Sequence, residues 1–260
     1  MEARYIEETN HDGVVVVELR PGEGAVTTLR EELLSQFAGS IDRIANDRQV
    51  RVVIITGVGK MFLVGADLRQ LRDRTPGENA QYNQRLIDLF NRVETMPHPS
   101  IAAINGPALG GGLELALACT FRYADSSAVL GLPEINLGLI PGAGGTPRLP
   151  RLIPRAAAWK LLLTGDAINA GEALSLGLVD ALCADGTVRD QAMEFAHKLS
   201  KKPLLALRAL KDALVTGQNL DLASAIDYTA EKLVQISQSH DMHEGIDAFL
   251  SKRHPMFRDE

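Results

Sequence analysis

Two glutamates and two glycine-bearing turns carry the chemistry that this sequence offers. Glu114 is the lone charge in LGGGLELALAC, residues 109–119, and Glu134 follows Pro133 in GLPEINLGLIPG, residues 131–142. The glycines ahead of Glu114 open a helix whose first-turn amides have no partner inside it. Such amides can bind an anion, and a backbone without side chains lets a ligand come close. A second glycine turn lies in KMFLVGADLRQL, residues 60–71, where Gly65 frees the Ala66 amide to face a cleft. Pro133 stiffens the chain just before Glu134. Two buried carboxylates and two backbone N–H donors suit proton transfer beside a carbonyl whose oxygen becomes an enolate. Each piece alone has a plainer reading: a tight turn with a solvent-facing Glu114, an Asp67 helix cap, and a helix-start Glu134.

Other mechanisms lack their residues. The sequence has no GxSxG nucleophile elbow and no GxxxxGK[ST] phosphate loop, and GAGGTP at 142–147 lacks the third glycine of a dinucleotide turn. CxxC, HExxH and EF-hand spacings are absent as well. The nearest approach to a metal cluster is His240, His243 and Glu244 in SHDMHEG, a spacing that equally suits a solvated helix face. Paired carboxylates also serve glycosidases, but one Trp and four Tyr supply few platforms for sugars.

The elements that must hold these residues alternate. Strand-like runs VVVVEL (14–19), VRVVIITG (50–57) and SIAAIN (100–105) are separated by helical patterns near 28–46 and 77–95. Such an order predicts an α/β layered core, and the missing polar alternation predicts strands covered on both faces. A helix follows the three glycines to about Cys119, then strand-like FRYAD (121–125) and AVLGL (128–132). From Arg155 the pattern is mostly helical, with amphipathic segments near 187–201, 203–217, 219–238 and 241–252. The expected organisation is one unit: an α/β core over 1–200 and a helical C-terminal region over 201–260.

The length of 260 residues, 45% hydrophobic and 23% charged, is that of an ordinary globular protein with a sizeable core. A net charge of −6 argues against nucleic acid or anionic lipid as a partner. The most basic helical stretch, residues 69–85, sets four arginines against two carboxylates, too weak for an RNA face. Glu114 interrupts the most apolar window, so no membrane span is expected. Two cysteines make no disulfide framework, and Cys119 is expected to be a buried thiol. The first residues resemble neither a secretory signal nor a transit peptide, which makes a cytoplasmic location the expectation.

FLVGADLRQL, SIAAINGPALGGGLELALAC and LGLPEINLGLIPGAGGTPRLPRLI together resemble the enoyl-CoA hydratase/isomerase (crotonase) superfamily. AGEALSLGLVDAL and GIDAFLSKRHPMF look like its C-terminal pieces, so the likeness spans nearly the whole chain. The resemblance implies a spiral of ββα units with a helical trimerisation region, trimers commonly pairing into hexamers. It implies that the Ala66 and Gly111 amides form an oxyanion hole for a thioester oxygen. It implies Glu114 and Glu134 as the catalytic pair, both holding water, with Glu114 the base and Glu134 delivering a proton to C2. Val64, Ala66, Asp67, Leu68, Arg69 and Gly111 match the segments that contact the CoA substrate, and neither metal nor redox cofactor follows. Retention of both glutamates favours hydration of trans-2-enoyl-CoA, with double-bond isomerisation as the alternative. In this chain Val64 replaces an alanine of the family pattern, and Leu132 stands where well-studied hydratases have glutamine.

Overall fold

A computed structural model describes residues 3–22 and 26–260. Its large sheet has six strands: β1 (Ile6–His11), β2 (Val14–Leu19), β3 (Val52–Gly57), β4 (Ser100–Ile104), β6 (Phe121–Asp125) and β9 (Ala181–Cys183), side by side in that order. Strand β1 is antiparallel to β2, and every other pair is parallel. Val15, Val17, Val53, Ile55, Ala102 and Ile104 belong to one core, while Val14, Val16, Val52, Ile54, Ile101 and Ala103 belong to another. Alternate residues thus enter two different apolar layers, which is why these strands carry no polar alternation.

The first core is closed by helices α1 (Glu31–Asn46), α3 (Pro76–Thr95) and α4 (Gly111–Ala118), the second by α8 (Val188–Ser200). A smaller sheet runs β5 (Ala108–Leu109), β7 (Val129–Gly131), β8 (Ala167–Asn169), and Leu63 adds a parallel bridge to Ala108. The chain therefore repeats one path three times: β3, Leu63, then α2 (Leu68–Asp73) and α3; β4, β5, α4; β6, β7, α5 (Gly145–Leu152). Each turn places one strand in the large sheet and one extended piece in the small sheet before a helix. The result is the expected spiral of ββα units.

Some elements differ from the sequence expectation. Helix α1 begins at Glu31 rather than near 28, because Leu29 forms a parallel bridge with Ala66, its N–H donating to the Gly65 carbonyl. Strand β1 has no counterpart in the sequence pattern, since IEETNH buries only Ile6. Its signal is Asp12-Gly13, where both residues have positive φ, as a tight hairpin turn of the type I′ kind requires. Helix α5 is likewise hidden in the sequence, opened by Gly144 and Gly145 and carrying Pro150 inside it.

Helices α6 (Arg155–Thr164) and α7 (Ala170–Leu176) lead back to the sheet, and α9 (Leu204–Gly217), α10 (Leu222–Ile236) and α11 (His240–Leu250) follow α8. Buried Lys211 ties α9 to the core, its Nζ donating to the Met96 and His98 carbonyls at 2.5 and 2.9 Å. Buried Asp241 accepts from the Arg258 and Asp259 amides, and Asp259 pairs with Arg51 beside β3. Both cysteines are buried thiols. Among the described residues no helix is long and apolar enough to cross a membrane.

Candidate active site

The site forms where the two glycine turns meet. The Leu63 amide donates to the Pro107 carbonyl at 3.2 Å and the Leu109 amide to the Leu63 carbonyl at 3.1 Å, pinning residues 63–66 beside the start of α4. A Cβ at Gly112 would overlap the Leu63 carbonyl oxygen, so the two backbones are in direct contact. Gly65 has a φ of +86°, and a Cβ there would lie 3.3 Å from the Gly111 nitrogen. Leu29 backs the pair, with its Cδ1 in the space that a Gly111 Cβ would need. Among the described residues, the Ala66 and Gly111 N–H groups donate to no other group of the chain. Two unpaired amides thus lie on adjoining backbones.

Glu114 lies in the first turn of α4 and is 3% exposed, so it does not face solvent. Its Oε1 accepts from both the Ala143 and Gly145 amides at 2.8 Å. One oxygen thus carries two donors, and Oε2 accepts from no other group among the described residues. Burial holds its pKa above the ordinary carboxylate value, opposed by the Gly145 and Ala143 amides and by the Arg148 charge. Those amides come from a turn with no titratable residue, which sequence patterns do not connect to Glu114.

Glu134 stands in a short 3₁₀ turn, Pro133–Leu137, that ends at Gly138 in a left-handed conformation. Its Oε1 lies 2.9 Å from where a Gly110 Cβ would sit, so a side chain at Gly110 would press on the carboxylate. Gly110 itself has a φ of +54°. The Glu134 Oε2 is buried with no hydrogen-bond partner among the described residues. Burial pushes this carboxyl up to about 7, its own backbone amide pulls it down, and the nearby Glu114 charge pushes it further up. The two glutamates are close enough for the charge of one to act on the other, and their surroundings are unequal: Glu114 Oε1 is anchored by two amides, whereas Glu134 Oε2 is buried without a partner among the described residues.

The remaining expected residues flank this centre. Val64 and Ala66 are half-buried, and Leu68 and Arg69 are exposed at the start of α2. Asp67 serves the fold, because its carboxylate accepts from the Arg69 and Gln70 amides as the α2 cap and pairs with Arg30 at 3.3 Å. Leu132 is buried, its Cδ1 3.0 Å from where a Gly145 Cβ would be and Glu114 Cγ 3.1 Å from the same point, so it packs against the turn beside Glu114. His240, His243 and Glu244 lie in α11, remote from these residues in sequence, and Glu244 is held by Arg253 and the Met256 amide.

The site thus joins a spiral of ββα units to two buried glutamates and two amides without a partner among the described residues. The model of the enoyl-CoA hydratase/isomerase family matches residues 9–260. The chain is 43% identical over 208 residues to the enoyl-CoA isomerase/hydratase fer4 of Mycosarcoma maydis, covering 80% of this chain and 76% of that protein. It is 37% identical over 234 residues to the 2,3-dehydroadipyl-CoA hydratase of Escherichia coli (strain K12), covering 90% and 91%. The crystal structure of an enoyl-CoA hydratase from Bacillus anthracis superposes with a TM-score of 0.95 at 37% identity, covering 99% of this chain and all of that one. The protein belongs to the enoyl-CoA hydratase/isomerase family and has the crotonase fold.

The glycine contact makes a direct prediction. Gly112→Ala forces the 63–66 and 110–112 backbones apart, and overpacking of this kind costs about 1–3 kcal/mol. Urea unfolding should show that loss, whereas an unchanged midpoint would mean the two turns tolerate separation.

Proposed function

We propose that this protein adds water across the double bond of trans-2-enoyl-CoA thioesters, giving 3-hydroxyacyl-CoA. The observation that carries the proposal is the unequal pair of glutamates beside two unpaired amides. In this mechanism the thioester oxygen accepts from the Ala66 and Gly111 N–H groups, which favour the charge that develops as the enolate forms. A water held between the carboxylates attacks C3. Glu114 takes its proton through Oε2, because Oε1 is occupied by the Ala143 and Gly145 amides. Glu134, raised to about 7, is populated in its protonated form near neutrality and passes that proton to C2. Oxygen and hydrogen then arrive from one face, and a proton shift between the carboxyls restores the starting state.

Val64, Asp67, Leu68 and Arg69 border the amide pair on the side where the CoA portion enters in this proposal. CoA is part of the substrate, and the mechanism needs no metal or redox cofactor. The protein acts in it as a homotrimer or as a hexamer of paired trimers. Support for self-association is the apolar surface of a single chain: Leu222 and Phe249 are 78% and 83% exposed on α10 and α11, with Ile140 and Trp159 also open to solvent. The proposed setting is cytoplasmic acyl-CoA degradation.

Loss of crotonyl-CoA absorbance on adding the enzyme tests the reaction, and Glu114→Gln should lower the rate by about 10²–10⁴-fold, the usual contribution of a positioned base. No hydration at several chain lengths, with conversion of a 3-enoyl-CoA, would assign the site to isomerisation instead.

The pH dependence tests Glu134. An acid must be protonated to act, so its working fraction falls as pH rises through about 7. The kcat/KM for hydration should decline on that alkaline side, and a flat profile from pH 6 to 9 would remove Glu134 from the acid role.

A further inference from the structure

The turn that grips Glu114 is itself gripped from behind. Arg148, on the first part of α5, has a side chain only 12% exposed. Its Nη1 donates to the Ala143 carbonyl at 3.2 Å. The same residue, Ala143, donates its amide to Glu114 Oε1. A single peptide segment is thus held on one side by the guanidinium and holds the carboxylate on the other.

The guanidinium is fixed in turn by α3. Nη2 donates to Asn91 Oδ1 at 2.7 Å and to Glu94 Oε2 at 2.6 Å, and Nε reaches the same Glu94 oxygen at 3.2 Å. Asn91 and Glu94 are three residues apart and so share a helix face. Gly144, between the two gripping amides, has a φ of +116°, and a Cβ there would overlap Arg148 Nη1. Glycine therefore leaves the space that the guanidinium fills. Farther along α3, Asn83 Nδ2 donates to the Gly142 carbonyl at 3.2 Å and pins the near end of the turn.

We propose that Arg148 is a positioning residue for Glu114: it holds residues 142–145 in the arrangement that saturates Oε1 and leaves Oε2 free, and it places a fixed positive charge behind the carboxylate. This rests on Glu114 acting as the base. Three nitrogens of one planar fork reach three different acceptors, and a lysine, with one point charge on a flexible stem, cannot reproduce that. The charge favours the ionised carboxylate, so its removal raises the pKa of Glu114 and moves the loss of base activity on the acid side to higher pH.

The test compares wild type with Arg148→Gln, Arg148→Lys and Glu94→Gln in two readouts. The first is a difference-infrared titration of the Glu114 carboxyl in protein carrying Glu134→Gln, assigned by its disappearance in Glu114→Gln. It needs no turnover. The second is kcat and KM for crotonyl-CoA across pH. Arg148→Gln should raise the Glu114 midpoint and lower kcat by about ten- to a hundredfold, the scale on which small misplacements act, with KM changing much less. Arg148→Lys should keep the midpoint near wild type while kcat still falls, separating charge from geometry. Glu94→Gln leaves the cation in place but loosens it and should lower kcat less than Arg148→Gln. It keeps the test open if the Arg148 variants do not fold.

A folded Arg148→Gln with wild-type midpoint and kcat would overturn the proposal. So would a drop in thermal stability and kcat together with an unmoved midpoint, which would make Arg148 a structural ion-pair partner alone. If wild type hydrates nothing while the midpoint still moves, the positioning role stands and the hydratase proposal falls.

Discussion

The site depends on one close approach, that of the backbone at 63–66 to the backbone at 110–112. Leu63 is hydrogen-bonded on both sides to the chain around β5, and Gly112 can tolerate no side chain against the Leu63 carbonyl. That contact brings two amides that would otherwise belong to separate ββα turns into one place. Neither amide has a partner within the protein among the described residues, so their hydrogen-bonding capacity is held for something else. The apolar sheet supplies the rigidity. Strands β2, β3 and β4 are buried on both faces, and the chain segments that reach Ala66 and, through β5, Gly111 follow β3 and β4.

Two glutamates placed on that frame differ because their surroundings differ. Glu114 is deeply buried yet compensated by two amides and a cation behind them, so its anchored oxygen is fixed and its other oxygen is available. Glu134 has an unpartnered buried oxygen, and burial and its neighbour's charge lift its carboxyl to about 7. In the proposed hydration this difference in surroundings assigns Glu114 to the base and Glu134 to the acid. That difference comes from the turn at 142–145 as much as from the glutamates, since the Ala143 and Gly145 amides both donate to Glu114.

Much of this is legible in the sequence, for physical reasons that differ from element to element. The buried strands announce themselves because VVVVEL and VVIITG are apolar on both faces, and the helix after Gly110 because its glycines precede an unbroken helical run. The catalytic candidates are visible as charges and glycines where apolar residues are expected. Strand β1 is not, because an edge strand with one buried residue looks polar, although Asp12-Gly13 carries a hairpin signal. The pattern starts helix α1 too early, since the pairing of Leu29 with Gly65 is long-range and leaves no local mark. The two amides on Glu114 and the Arg148 fork escape for the same reason: backbone donors have no residue type, and an arginine in a helix looks like surface charge until α3 is packed against it.

The stereochemistry of addition tests the central claim, that both glutamates act on one side of the thioester. Crotonyl-CoA hydrated in D₂O should give 3-hydroxybutyryl-CoA bearing a single deuterium at C2, on the same face as the new oxygen, as one diastereomer by NMR. Deuterium on the opposite face, or a mixture of both diastereomers under single-turnover conditions, would contradict a water and a proton delivered by Glu114 and Glu134 from one pocket.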